Sequence, residues 1–196
     1  MASNLKIKLI HYRNPILGRE WKRLFENERD VEILETDIME TDCDALVSPG
    51  NSFGFMDGRL DLLISQKFGW GIQAELQRKI QLLPTRELLV GQATVIEALH
   101  PKMFIVCAPT MRVPENVSES INAYLAMKAA LIICKEHTEI YTVAISGLCT
   151  GTGHMRADIA ALQMFTAYKE VIKNEHPVFH TFREATRHQL LLKKHI

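Results

Sequence analysis

The chain has no surplus of charge of either sign. Lysine plus arginine and aspartate plus glutamate each number 23 among 196 residues. That balance removes the electrostatic case for non-specific nucleic-acid binding, which needs a clustered basic surface, although a local patch stays open. No apolar run approaches the ~18 residues needed to cross a bilayer, so no membrane association is expected. The opening segment MASNLKIKLIHYR is too short and too charged for a signal peptide. Cysteine is scarce: Cys43, Cys107, Cys134 and Cys149 are scattered, with no CxxC pair and no histidine spacing that suggests zinc. The expectation is a cytoplasmic protein with free thiols and with neither metal nor cofactor. Outside Cys149, the cysteines read as small buried hydrophobes. Internal repeats, low-complexity segments and linkers are also missing. With 47% hydrophobic and 23% charged residues, the composition is that of an ordinary globular domain. One α/β domain with a sizeable core is the expectation.

What is present alternates between strand and helix. Leu5–Ile10 alternates apolar and polar residues, as a strand with one buried face does. Leu17, Trp21, Leu24 and Phe25 set a helix over residues 17–28, and Val31–Leu34 a second strand that ends in an acidic turn at residues 35–38. Residues 45–47 are a short buried strand broken by Ser48-Pro49-Gly50. Helices follow over residues 60–68 and 72–83, the second stopped by Pro84. Strands are expected over residues 93–97, 103–108 and 141–145; the middle one is apolar throughout, as in strands buried on both faces. A helix over residues 117–136 would show Ile121, Tyr124, Leu125, Lys128, Leu131 and Ile132 on one face, and another would cover residues 157–171. Residues 177–196 read as a further amphipathic helix with Phe182, Ala185, Leu190 and Leu192 on the apolar side. Its basic residues fit a solvated face or, alternatively, a partner surface.

Two glycine-bearing loops leave strand ends, Pro49 to Gly58 and Ser146 to His154. In open α/β sheets the ligand crevice lies outside the carboxyl ends of strands. Strand, glycine-bearing loop and helix N-terminus together aim main-chain N–H groups at an anion, usually a nucleotide phosphate. Neither loop is specific alone. The second holds GxxxGxG without GK[ST], which excludes a P-loop, and the first lacks GxGxxG.

Taken together, the segments resemble the macro domain family. Asp44-Ala45-Leu46-Val47-Ser48-Pro49-Gly50-Asn51-Ser52 resembles its DAIVNAAN segment, and Gly58-Arg59-Leu60-Asp61 the GGVD that follows. Ser146 through Met155 resembles the second phosphate loop, STGIFG or GLGTGVGG, and Thr36-Asp37-Ile38 the family's GDI. The match covers most of residues 5–172 and is most similar to stand-alone bacterial members with NSFGFMDG and APTMRVP segments.

The resemblance implies a three-layer α/β/α sandwich with a mixed central sheet, here residues 1–176, followed by a helical extension over 177–196. It implies a cleft for ADP-ribose, or for an ADP-ribosylated substrate. Asp37, with the backbone of Ile38 beside it, would take the adenine amino group; an exposed turn aspartate is the alternative. Asn51 would contact the terminal ribose, or cap its own loop. Asp61 would orient or activate a water, or stabilise a helix N-terminus. Gly54, Phe55, Met56, Asp57 and Gly58 would wrap the diphosphate by main-chain donors, as would Ser146, Gly147, Leu148, Cys149, Thr150, Gly151, Thr152, Gly153 and His154.

The departures from the family pattern bear on function. Asp57 brings a negative charge toward the diphosphate, which Arg59 would offset. Gly153 stands where many members carry an aromatic against the terminal ribose, and His154 where glycine is common. Cys149 with His154 suggests a nucleophilic pair, against a small loop residue beside phosphate. Arg112 reads either as a ligand-facing cation or as a surface arginine. Three functions stay open: hydrolysis of an ADP-ribosyl linkage, with Asn51 and Asp61 as its catalytic residues; a non-catalytic reader of ADP-ribose; and a partner-binding protein with a vestigial cleft.

Overall fold

In the computed structural model, residues 5–193 are described. The chain runs β1 (Lys6–Ile10), α1 (Pro15–Leu24), β2 (Val31–Leu34), β3 (Ala45–Ser48), α2 (Arg59–Phe68), α3 (Gly71–Leu82), β4 (Thr94–Leu99), β5 (Lys102–Cys107), α4 (Asn122–Glu136), β6 (Thr142–Ser146), α5 (Ala157–Lys173) and α6 (Phe182–Leu192). The six strands form one sheet in the order β2-β1-β6-β3-β5-β4. All neighbours are parallel except β4, which runs antiparallel to β5 at the edge.

Strand side chains alternate between two cores, as the period of two requires. Ala45 and Val47, Phe104 and Val106, and Val143 and Ile145 face one core, which α1, α4 and α5 close. Leu46, Ile105, Cys107 and Ala144 face the other, which Ile64 of α2 and Ile72, Leu76 and Ile80 of α3 close. The result is the expected helix–sheet–helix sandwich with a mixed sheet. Because five strands are parallel, the carboxyl ends of β1, β2, β3 and β6 come out on one edge, and their connections meet there.

Local chemistry moves several boundaries. α1 starts at Pro15, earlier than the apolar spacing suggests, because the Asn14 side chain accepts from Leu17 N at 3.1 Å and caps a helix whose first residue is proline. α4 starts at Asn122, not at Val117. Ser118 N donates to Asn116 Oδ1 and Ser120 Oγ to Val117 O, so short polar side chains hold residues 116–120 outside the helix. The buried face of α4 takes in Tyr124 and Leu131, as the spacing suggests, together with Ala123, Ala126, Met127, Ala130 and Cys134, whereas Ile132, placed on the apolar face from sequence, is 41% exposed.

The C-terminal segment begins its helix only at Phe182, behind a Thr181–Glu184 capping box. Its apolar side is packed only in part: Ala185 is half-buried. Leu192 is buried, but Phe182 and Leu190 face solvent. Leu192 joins the α1–α4–α5 core, and its carbonyl accepts from Gln163 Nε2 at 3.0 Å. The last turn expected of this helix, residues 194–196, lies outside the described residues. All four cysteines are free thiols. Among the described residues no helix is long and apolar enough to cross a membrane.

Candidate functional site

Two loops leave adjacent strands β3 and β6 and bound one cleft of about 660 Å³. Gly50, Asn51, Phe55, Asp57 and Gly58 line it from the first loop; Gly147, Cys149, Thr150, Gly151, Thr152 and Gly153 line it from the second. Asp37 and Ile38 line it from the end of β2, and Ser146 from the end of β6. Arg59 ties the two loops together: its Nε donates to Thr152 Oγ1 at 2.8 Å. Both loops hold non-glycine residues in the left-handed region, Arg59 at φ 48°, Cys149 at 62° and His154 at 53°. Such conformations persist where the surroundings over-determine them, and they gather at binding sites.

Main-chain donors are available at the cleft. The amides of Gly151 and Thr152 donate to no group among the described residues. α2 opens at Gly58, which has no side chain with which to cap its first turn. Gly153 is required for the shape of the second loop: a Cβ there would lie 2.7 Å from both Cys149 O and Val117 Cγ2. Val117 N in turn donates to Gly153 O at 3.0 Å, so the segment before α4 braces this loop from behind.

Asp61, in the first turn of α2, lines the cleft although it is only 8% exposed. Ser48 Oγ donates to its Oδ1 at 2.7 Å, and Gly50 lies against Oδ2, 2.6 Å from where a Cβ would stand. Burial pushes this carboxyl up to about 6; the Asp57 charge adds to the rise and the Ser48 hydrogen bond offsets part of it. A carboxyl poised in this range is suited to exchange a proton with a bound water near neutral pH.

Asn51 lines the cleft, but its amide is spent on its own loop. Nδ2 donates to Phe55 O at 2.8 Å, and Oδ1 accepts from Phe53 N at 3.1 Å and from Phe55 N at 3.3 Å. The side chain thus clamps the Phe55 peptide from both sides and holds its ring, 54% exposed, at the cleft. Asp37 likewise has one oxygen in use, with Oδ1 accepting from Met39 N at 2.9 Å.

Four residues singled out from sequence are directed elsewhere. Gly54, at φ 72°, is wedged against Leu76 and Ile80 of α3. Met56 is buried in the α2–α3 core with its amide held by Gln73 Oε1 at 2.7 Å, and Leu148 is fully buried on the opposite face. His154 is exposed and does not line the cleft. Cys149 does line it but is buried, and burial pushes its thiol up to about 12. That shift favours the protonated thiol at neutral pH and, with His154 turned away from the cleft, speaks for a small loop residue beside the site over a nucleophilic pair. Arg112 is a surface residue: its guanidinium pairs with Glu87 at 2.6 and 2.8 Å and lies 5.0 Å from the centre of the Phe53 ring.

Sequence reasoning missed the wall built by the β1–α1 connection, His11, Tyr12, Asn14 and Leu17, and the contribution of Thr110, Met111 and Pro114. The first was open to inference, since a strand parallel to β6 must end on the same edge. His11 is buried, with both ring nitrogens unpartnered among the described residues. Its ring rests on Gly18 of α1, where a Cβ would come within 2.3 Å of Nε2. Among the described residues no group of three or more His, Cys, Asp or Glu side chains is placed to hold a metal ion.

Comparison with known proteins agrees with the geometry. The family model described as the Macro domain matches residues 47–164. An uncharacterized protein of Aquifex aeolicus is 33% identical over 137 residues, covering 69% of this chain and 78% of the relative. Among solved structures, a glycine-to-valine variant of the Oceanobacillus iheyensis macrodomain, solved with ADPR, superposes with a TM-score of 0.61 at 16% identity; the match covers 81% of this chain and 91% of that one. The macrodomain of Mycobacterium tuberculosis DarG gives a TM-score of 0.60 at 17% identity, covering 70% and 88%. The chain belongs to the macro domain family.

Proposed function

We propose that the cleft binds ADP-ribose, with the diphosphate between residues 57–59 and 149–153. The observation that carries this reading is the convergence of both loops on one cleft, joined by the Arg59–Thr152 hydrogen bond. The adenine end lies toward Asp37 and Ile38, where Asp37 Oδ2 has no partner among the described residues and can accept from an exocyclic amino group. Main-chain donors of the second loop and the uncapped start of α2 suit a phosphate without a lysine cluster. The Oceanobacillus structure with ADPR supports the same ligand class. Calorimetry tests it: ADP-ribose should give saturable heat with one site per chain. No heat at millimolar ligand would return the protein to a partner-binding role with a vestigial cleft.

Hydrolysis of an ADP-ribosyl linkage is a second reading, and the environment of Asp61 favours it. A cleft-lining carboxyl raised to about 6 by burial can hold and deprotonate a water beside the terminal ribose. In this reading the loops supply position and charge stabilisation, and Asp61 supplies the base. Asn51 contributes through the loop it clamps. The test is release of ADP-ribose from a modified protein, followed chromatographically. Asp61→Asn should retain ligand binding and lose turnover; turnover equal to wild type would leave a reader that binds without hydrolysing.

A further inference from the structure

Among the described residues, Arg59 is the only lysine or arginine that lines the cleft, and it faces three carboxylates there: Asp37, Asp57 and Asp61. An acidic lining opposes a doubly charged ligand, so the position of the one cation matters. Arg59 sits at φ 48°, a conformation that glycine adopts freely and that other side chains avoid. From there its side chain crosses to the second loop. Nε donates to Thr152 Oγ1 at 2.8 Å, and the guanidinium passes over Gly151, where a Cβ would lie 3.5 Å from Cδ and 3.8 Å from Nη1. The two terminal nitrogens have no acceptor among the described residues. One edge of the guanidinium fork is thus fixed by the protein while the other carries unused N–H donors at the cleft.

We propose that Arg59 is the diphosphate-reading residue of the cleft, with Nη1 and Nη2 gripping phosphate oxygens and Thr152 orienting the fork through Nε. This deepens the ADP-ribose reading and rests on it. The fork matches the geometry of phosphate oxygens, which a lysine ammonium does not reproduce. The consequence is selectivity for nucleotides carrying two linked phosphates over the uncharged nucleoside.

The experiment uses the full chain and measures ADP-ribose by calorimetry and adenosine by NMR shift titration. Arg59→Gly is the informative variant, because glycine accepts the left-handed conformation and the fold should melt at or above the wild-type temperature. The expected result is ADP-ribose affinity at least about tenfold weaker with adenosine affinity unchanged within about twofold. Arg59→Lys should recover only part of the loss, and Thr152→Val should weaken ADP-ribose by about threefold through misorientation of the fork. The proposal is overturned if Arg59→Gly binds ADP-ribose as wild type does, or if it weakens ADP-ribose and adenosine equally, which would mark a loop-shaping role. Wild type silent to ADP-ribose would overturn the functional reading instead. Inorganic pyrophosphate then decides on Arg59: binding that vanishes in Arg59→Gly sustains its role, and absence of binding by wild type ends it.

Discussion

Replacing Asp61 by asparagine should change how stability depends on pH. The folded carboxyl holds its proton up to about 6, whereas its unperturbed value is 3.8. Between those values the folded state binds more protons than the unfolded one, so stability falls as pH rises through the window. The stabilising contribution is complete below 3.8 and lost above about 6. At about 1.4 kcal/mol per pKa unit, the full span is worth about 3 kcal/mol. Asparagine can still accept from Ser48 Oγ but has no proton to lose, so this part of the pH dependence vanishes in Asp61→Asn. Urea denaturation of both proteins, from about pH 3.5 to pH 7.5, should show the stability difference moving by about 3 kcal/mol in favour of the variant, a relative midpoint shift of about 1–2 M. Parallel curves, with a difference constant to within about 0.5 kcal/mol, would refute the claim that burial at the cleft keeps this carboxyl protonated up to about pH 6.

Three further outcomes follow from the same geometry. Asn51→Ala removes three hydrogen bonds that shape the first loop; it should cost about 1–2 kcal/mol by thermal melting and raise amide exchange at residues 53–56, whereas unchanged exchange would deny the clamp. Cys149→Ala should leave any ADP-ribose release at the wild-type rate, and native Cys149 should resist alkylation at neutral pH because burial keeps its thiol protonated; rapid labelling of that residue would contradict this. Gly18→Ala improves intrinsic helix propensity by about 1 kcal/mol, yet it should destabilise the protein by about 1–3 kcal/mol net, since the new methyl would meet the buried His11 ring. A stabilised Gly18→Ala protein would show that the ring moves aside freely.

The buried strands were readable because their side chains have to satisfy two cores at once. Apolar runs such as residues 103–108 admit few other readings, and the two loops were visible from the proline and glycine that end β3 and the glycines that follow β6. Positions whose outcome depends on competing partners were not readable. The Asn51 side chain suits a ribose as well as a peptide; only the folded loop shows that Phe53 and Phe55 take its bonds. Met56 and Leu148 lie within glycine-bearing stretches, yet both turn into the cores, because each loop needs an apolar anchor. In α4 the large residues Tyr124 and Leu131 are buried as their spacing suggests, but the alanines between them widen the buried face and Ile132 is left outside it. The α6 face was read in part: Ala185 and Leu192 turn inward with His188, whose ring lies 6.3 Å from Tyr124, while Phe182 and Leu190 face solvent. The wall contributed by His11 and Tyr12 follows from strand order, which no local pattern encodes.

In the proposed binding mode both loops grip one diphosphate. Titration of the ¹⁵N-labelled protein with ADP-ribose observes both at once. The amides of residues 57–59 and 149–153 should shift together, along one saturation curve, with Ile38 following at the adenine end. Shifts confined to one loop, or resonances that stay in place at millimolar ligand, would contradict it.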